Sequence, residues 1–209
     1  MIRQALPDIF GVLGQADNSR SRAGPGRPGQ VIRLHPRTKE RRLDWLTWGL
    51  LSQASGTQEG MPGPIHARGE TVAELPMFAD AFRHRRAIVP ATEYYQRRTM
   101  GEPGQRYAIA RRDGQPLAIA GLWGAFRIPD GGIVRTYCII TVPAQGAIAE
   151  IHDRMPLVLD ETDWAVWLGE TPGDPAALLR PASDTLVVRP IPPRSSETLS
   201  THQEKTARV

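Results

Sequence analysis

Two glycine-containing turns set the strongest limit on what this chain can become. Asp113-Gly114 separates apolar runs at 107–111 and 116–121, and Pro129-Asp130-Gly131-Gly132 separates 122–128 from 133–141. An Asp-Gly pair tolerates the positive backbone dihedrals of a tight turn, and the flanking runs suit strands. This half of the chain is therefore predicted to be built of antiparallel hairpins. Earlier, 31–35 and 43–48 read as two more strands joined by the charged turn 36–42, 87–95 as another strand, and 185–189 as the last. Helices are expected at 6–13, 71–84, 144–150 and 161–169. In the second of these, Leu75, Phe78, Ala79 and Phe82 recur at helical spacing, and Thr71 with Glu74 forms a capping-box pattern despite Pro76. Segments 18–30 and 52–64 are too rich in glycine, proline and polar residues for regular structure and read as loops.

Hairpins interleaved with isolated helices indicate an α+β fold, antiparallel and β-rich with peripheral helices. One domain over 1–194 is expected, followed by a polar, poorly ordered tail at 195–209. No apolar run approaches membrane-spanning length, and 1–13 carries no secretory pattern, so a cytoplasmic monomer is the expectation. Cys138 is the only cysteine among 209 residues, which excludes an internal disulfide and a multi-cysteine zinc site, and its apolar surroundings predict burial. The five histidines are scattered, so neither a metal site nor a cofactor is expected.

The charge has a bias that bears on partners. Lys39 and Lys205 are the only lysines among 26 basic residues; the rest are arginines. Guanidinium groups fork onto phosphates and stack on bases, which suits nucleic acid, although an arginine-rich genome would leave the same mark. Arg83, Arg85 and Arg86, with Arg97 and Arg98, form two local clusters that could border a binding groove or a solvated face.

Three motifs carry more information: Trp48-Gly49-Leu50, Ala67-Arg68-Gly69-Glu70-Thr71 and Ile151-His152-Asp153-Arg154-Met155-Pro156. Between them lie Ile88-Val89-Pro90-Ala91, Tyr94-Tyr95 and Ala120-Gly121-Leu122-Trp123. In this order and spacing, over about 10–188, they resemble the SOS response-associated peptidase (SRAP) family. The resemblance implies a positively charged groove for single-stranded DNA that reaches abasic sites. It also implies a chemistry in which an N-terminal cysteine, exposed by removal of the initiator methionine, condenses with the abasic aldehyde. An amine forms the imine, a thiolate closes the ring, and neighbouring asparagine, glutamate and histidine side chains move protons.

Several of those positions differ here. Residue two is Ile2, His66 stands where the family has asparagine, and Gln96 stands where it has glutamate. Glutamine bonds but cannot exchange a proton near neutral pH. Glu93, three residues away, would face the other side of the strand. His152 matches the family's proton shuttle, left with hydrogen bonding to phosphate or sugar as its task. Arg68 and Arg154 match positions that contact the DNA backbone, with ion pairs to Glu70 or Asp153 as the alternative. Trp48 is expected in the groove wall, and Arg97 replaces a family tryptophan with a cation that can also stack. Trp45, Trp123, Trp164 and Trp167 read as core. The expectation is a DNA-damage-response pseudoenzyme holding single-stranded or abasic DNA without a covalent bond. The alternatives are a residual enzyme forming an imine with abasic DNA, an autopeptidase, and a phage-related protein recruited for protein contacts.

Overall fold

The computed structural model describes residues 6–12, 24–51, 63–101, 104–128, 131–181 and 185–192. After a short helix α1 (Leu6–Phe10), strands β1 (Pro28–Leu34) and β2 (Arg41–Trp48) pair antiparallel from Pro28 opposite Thr47 to Leu34 opposite Arg41. Three-residue β3 (His66–Arg68), helix α2 (Pro76–His84), β4 (Arg86–Ala91) and β5 (Tyr94–Arg97) follow. The remaining elements are β6 (Arg106–Arg111), β7 (Leu117–Arg127), β8 (Ile133–Pro143), α3 (Gly146–Ala149), β9 (Arg154–Pro156), α4 (Trp164–Leu168) and β10 (Leu186–Ile191).

Strand pairing closes the larger sheet on itself. β4 pairs antiparallel with β1 on one side and β7 on the other, β7 pairs with β8, and β8 runs parallel to the end of β2 through Thr47 opposite Thr136 and Trp48 opposite Tyr137. Closure into a ring removes the open edges that a sheet this long would expose. β3 continues along β8 where β2 leaves off, and β9 occupies the opening where β7 and β8 diverge, with Leu157 donating to Ile140 O and accepting from Ala120 N. A separate three-stranded sheet runs β10-β6-β5.

Two apolar clusters follow from this arrangement. One is made of strand residues and the strap after β9, among them Val31, Leu46, Val89, Leu117, Ile119, Trp123, Tyr137 and Val158, and fills the ring. The other joins the outward strand residues Ile32, Ile88, Leu122, Cys138 and Ile140 to Phe10, Phe78, Phe82, Trp164 and Trp167 of the helices. Phe10 stacks on Trp164 at 4.5 Å, and the Trp167 indole donates to Ala87 O at 2.8 Å, seating α4 on β4. No helix among the described residues is long and apolar enough to cross a membrane.

The hairpin of 122–128 with 133–141 is present as β7 and β8, and 31–35 with 43–48 as β1 and β2. The expected pairing of 107–111 with 116–121 is not. The chain does reverse at Asp113-Gly114, with Gly114 at φ +74° and its N–H bonded to Arg111 O, but β6 pairs with β5 and β10 while β7 pairs with β4 and β8. The turn therefore passes the chain between sheets. The helix expected from Thr71 starts only at Pro76, because Leu75 before the proline is held extended at ψ 123°; Thr71 to Leu75 form backbone turns, and no side chain caps the helix. The expected strand 87–95 is divided between β4 and β5 in different sheets, and Pro28, Gly29 and Gln30 belong to β1 instead of a loop. Trp45 is 43% exposed, not core: Leu46 turns inward, so alternation points its neighbour out. The tail 195–209 and most of the loop 52–64 lie outside the described residues.

Candidate functional site

The Ala67-Arg68-Gly69-Glu70 motif enters the structure as β3 and the turn after it. His66 sits opposite Ile139 and Arg68 opposite Thr141. Alternation buries Ala67 at 1% exposure and turns His66 and Arg68 outward together. The backbone then lies so close to β8 that a Cβ on Gly69 would meet Val142 Cγ1 at 3.2 Å, while Gly69 N bonds to Thr141 O.

Trp48 walls this edge on one side. Its indole N–H donates to Ile65 O at 2.8 Å, its ring stacks on Tyr137 at 6.0 Å, and it meets the His66 imidazole edge-on at 6.1 Å. Partial burial, and secondarily the positive charge His152 can carry nearby, push the His66 pKa below its ordinary value. A lowered imidazole pKa leaves His66 predominantly neutral at neutral pH.

His152 follows helix α3, whose end holds it through His152 N bonded to Ile148 O at 2.9 Å. Its Nδ1 accepts from Arg154 N at 3.0 Å and lies 2.9 Å from Asp153 Oδ1. One nitrogen cannot serve both at once. Unprotonated, Nδ1 satisfies the Arg154 amide and leaves the proton on Nε2; protonated, it turns to Asp153.

Arg154 takes the ion-pair alternative. Its guanidinium donates to Thr141 O at 2.6 Å and forks onto Glu70, with Nη2 to Oε2 at 2.8 Å and Nη1 to Oε1. The side chain thus ties β9, across β8, to the turn after β3. This fork first, with Arg154's and then Arg68's charge as further causes, lowers the Glu70 carboxyl pKa to about 2. Glu70 is one of the two carboxylates, with Asp153, that the sequence offers as a partner, whereas the Thr141 carbonyl has no sequence signal, because backbone acceptors have none.

The site residues do not all meet. Trp48, His66 and Arg68 share the edge of β8, and His66 feels His152. Gln96 and Arg97 come from β5 in the other sheet, where the Gln96 amide donates weakly to Arg97 O at 3.4 Å. Among the described contacts no hydrogen bond joins Gln96 to either histidine. The link is through backbone: Thr99 N, just beyond β5, bonds to Ile151 O at 2.9 Å, the residue before His152. Glu93 points away, taking bonds from Tyr95 and Arg189. Arg85 and Arg86 do not border this edge; Arg85 binds Asp80 and Trp123 O, and Arg86 donates to the carbonyls of Phe82, Arg83 and Trp167. They stabilise the end of α2 and the start of β4.

Fold and site together define a closed β-barrel protein with a polar edge carrying two imidazoles and exposed arginine. The chain belongs to the family described as SOS response associated peptidase (SRAP), whose model matches residues 6–197. It is 31% identical over 136 residues to the abasic site processing protein YobE of Bacillus subtilis, covering 64% of this chain and 62% of that one. It is 34% identical over 142 residues to the abasic site processing protein YedK of Escherichia coli, covering 68% and 62%. To the abasic site processing protein HMCES of Xenopus tropicalis it is 30% identical over 182 residues, covering 74% of this chain and 53% of that one. The match thus spans less than two thirds of each relative's length. Among solved structures, a protein from Bacteroides thetaiotaomicron superposes with a TM-score of 0.66 at 24% identity, covering 80% of this chain and 75% of that one. A phage-related protein from Bordetella bronchiseptica gives 0.65 at 23%, covering 90% and 91%. At these identities the structural likeness shows the fold alone.

The Glu70–Arg154 fork has a testable pH signature. A carboxyl whose folded pKa lies below its ordinary value stabilises the fold above that ordinary value, about 4.5, and loses the contribution as pH falls toward about 2. Glu70→Gln is therefore expected to lower the melting temperature at pH 7, with the difference from the parent fading between about pH 4.5 and pH 2. Because the carboxylate is 47% exposed, solvent screening keeps the effect to about 1 kcal/mol or less. A difference constant across that range would mean that the fork does not hold in solution.

Proposed function

We propose that this chain acts, as a monomer, on DNA damage by holding single-stranded DNA at or beside abasic sites without a covalent bond. One observation carries the reading: His66 lies near enough to His152 to feel its charge and sits on β3 with exposed Arg68, while the position at which the family has a glutamate holds Gln96. Such an edge can hydrogen-bond phosphate, sugar or an aldehyde hydrate, but has no carboxyl at that position to exchange a proton. In this reading Trp48 offers a ring wall, Arg68 and Arg97 contact phosphates, and Arg154, fixed by Glu70, orders the edge. His152 donates from Nε2 when Nδ1 accepts from Arg154. The abasic site processing relatives and the family assignment support abasic DNA as the ligand.

The test is fluorescence anisotropy with a labelled single-stranded oligonucleotide bearing an abasic site, repeated across salt concentrations. Affinity is expected to fall steeply with salt, with a log–log slope of about −0.7 per phosphate contacted, and to show little dependence on base sequence. Arg68→Ala is expected to weaken binding about 10-fold and to make the slope shallower by about 0.7, as loss of one charge-assisted phosphate contact requires. Salt-independent binding, or none at low ionic strength, would overturn the proposal.

A further inference from the structure

The small sheet has two unlike faces. Tyr94, paired with Ile109, turns toward the core together with Val188. The opposite face is arranged in two rungs. Tyr95, Ala108 and Arg189 stand side by side in one, and Arg97, Arg106 and Ile191 in the next. Over these rungs lies an open cleft of about 660 Å³, lined by Glu93, Tyr95, Gln105, Arg106, Arg189 and Ile191 among others.

The cleft is built around one ring. Tyr95 is 40% exposed, yet its hydroxyl donates to Glu93 Oε1 at 2.6 Å, and Glu93 Oε2 accepts from Arg189 at 2.9 Å. The Arg106 guanidinium stands 5.9 Å from the ring centroid, and Gln105 fixes the rim by donating to Ile191 O at 2.8 Å. Among the described residues, three arginines share the face of the two rungs with a single carboxylate, Glu93. A pinned aromatic ring among guanidinium groups on an open sheet face matches what single-stranded nucleic acid requires: a surface for a base and cations for the phosphates beside it. An acidic peptide would use the cations and leave the ring idle, and a small apolar ligand would need a more enclosed and less charged cavity.

The chain itself links the cleft's sheet to the histidine edge. β5 carries Arg97 on the same face, opposite Arg106 and just outside the cleft's lining, and two residues later Thr99 bonds to Ile151, next to His152. We propose that this face is a second contact for the same DNA strand, with one base stacking on Tyr95 and flanking phosphates bound by Arg97, Arg106 and Arg189. The inference rests on the reading of the His66–His152 edge as a single-strand site, and extends the bound strand beyond it.

The experiment compares a short and a long single-stranded oligonucleotide, about 4 and about 16 nucleotides, each with the abasic site near one end and a fluorescent adenine analogue near the other. The full chain is expected to bind the long strand more tightly and to quench the analogue in it. Tyr95→Ala is expected to weaken long-strand binding about 5- to 160-fold, the span one stacked base covers. It should also abolish the quench and leave the short strand unchanged. Tyr95→Phe keeps the ring and should retain both. Equal loss for both lengths, an unchanged quench in Tyr95→Ala, or no gain with length would each overturn the proposal. Arg68→Ala separates the two readings: it should weaken both lengths if the histidine edge binds DNA. If it weakens neither while Tyr95→Ala weakens the long strand, the cleft stands and the edge reading fails.

Discussion

A polypeptide of this sequence, mixed with single-stranded DNA carrying an abasic site, is expected to leave no adduct that survives heating and denaturing electrophoresis. Stable capture needs an amine to form an imine with the aldehyde and a thiolate to add to it and close a ring. The only thiol in the sequence belongs to Cys138, which is 0% exposed in the centre of β8, and burial pushes its pKa up to about 12. It can neither ionise near neutral pH nor reach a ligand. Gln96 offers no proton to exchange, and the lowered pKa of His66 leaves its imidazole predominantly neutral. An amine alone can still condense with the aldehyde, releasing water, and the Met1 α-amine has a reference pKa of about 7.7 to 8.0 that leaves part of it neutral at physiological pH. Borohydride, by reducing that imine to a secondary amine, is the one condition under which a band should persist. A band that persists without reductant would overturn the non-covalent reading and require a nucleophile elsewhere.

Trp167→Ala is expected to destabilise the fold by about 3 to 5 kcal/mol, the usual cost of removing a buried aromatic side chain. Trp167 is 0% exposed, packs edge-on against Phe82 and donates its indole proton to Ala87 O at 2.8 Å. Truncation leaves a cavity between α2, α4 and β4 and removes the indole's hydrogen bond to Ala87 O. Trp167→Phe refills part of the volume but not the hydrogen bond, so it should cost less, with about 0.5 to 1.5 kcal/mol attributable to the lost bond. Urea unfolding measures both. Trp167 makes none of the contacts at the histidine edge, so DNA affinity under fully folding conditions should be unchanged. A cost below about 1 kcal/mol would mean that this helix is not docked as described.

What the sequence revealed and what it withheld divide along the range of the interactions. The β7–β8 hairpin was legible because a Gly-Gly turn and its two apolar runs are adjacent in the chain, and their pairing is local. The turn at Asp113-Gly114 was equally legible, but not that its flanks would bond to β5, β10, β4 and β8 instead of to each other. A turn signal reports that the chain reverses; partner choice is decided by strands far away. β3, at three residues, is too short to show a period, although it carries His66 and Arg68. The candidate site was readable where residues sit inside linear motifs, as with His152 and Arg154. Arg154's choice of Glu70 and Thr141 was undecided, since it depends on β3 and β9 flanking the same strand. The Tyr95 cleft left no trace in the sequence at all, because its ring and its arginines arrive from three separated strands.

The pairing of β10 with β6 has a consequence during synthesis. Each residue of β10 meets a partner made 75 to 85 residues earlier, from Leu186 with Arg111 to Ile191 with Arg106. At a ribosomal rate of about 5 to 20 residues per second, β6 waits roughly 4 to 17 s with one edge unpaired. Such an edge invites pairing with another nascent chain. Arg106 and Arg111 bracket the apolar centre of β6 at its two ends, where charge opposes intermolecular addition. Replacing Arg106 by an apolar residue should therefore lower soluble yield even where the finished fold is unharmed.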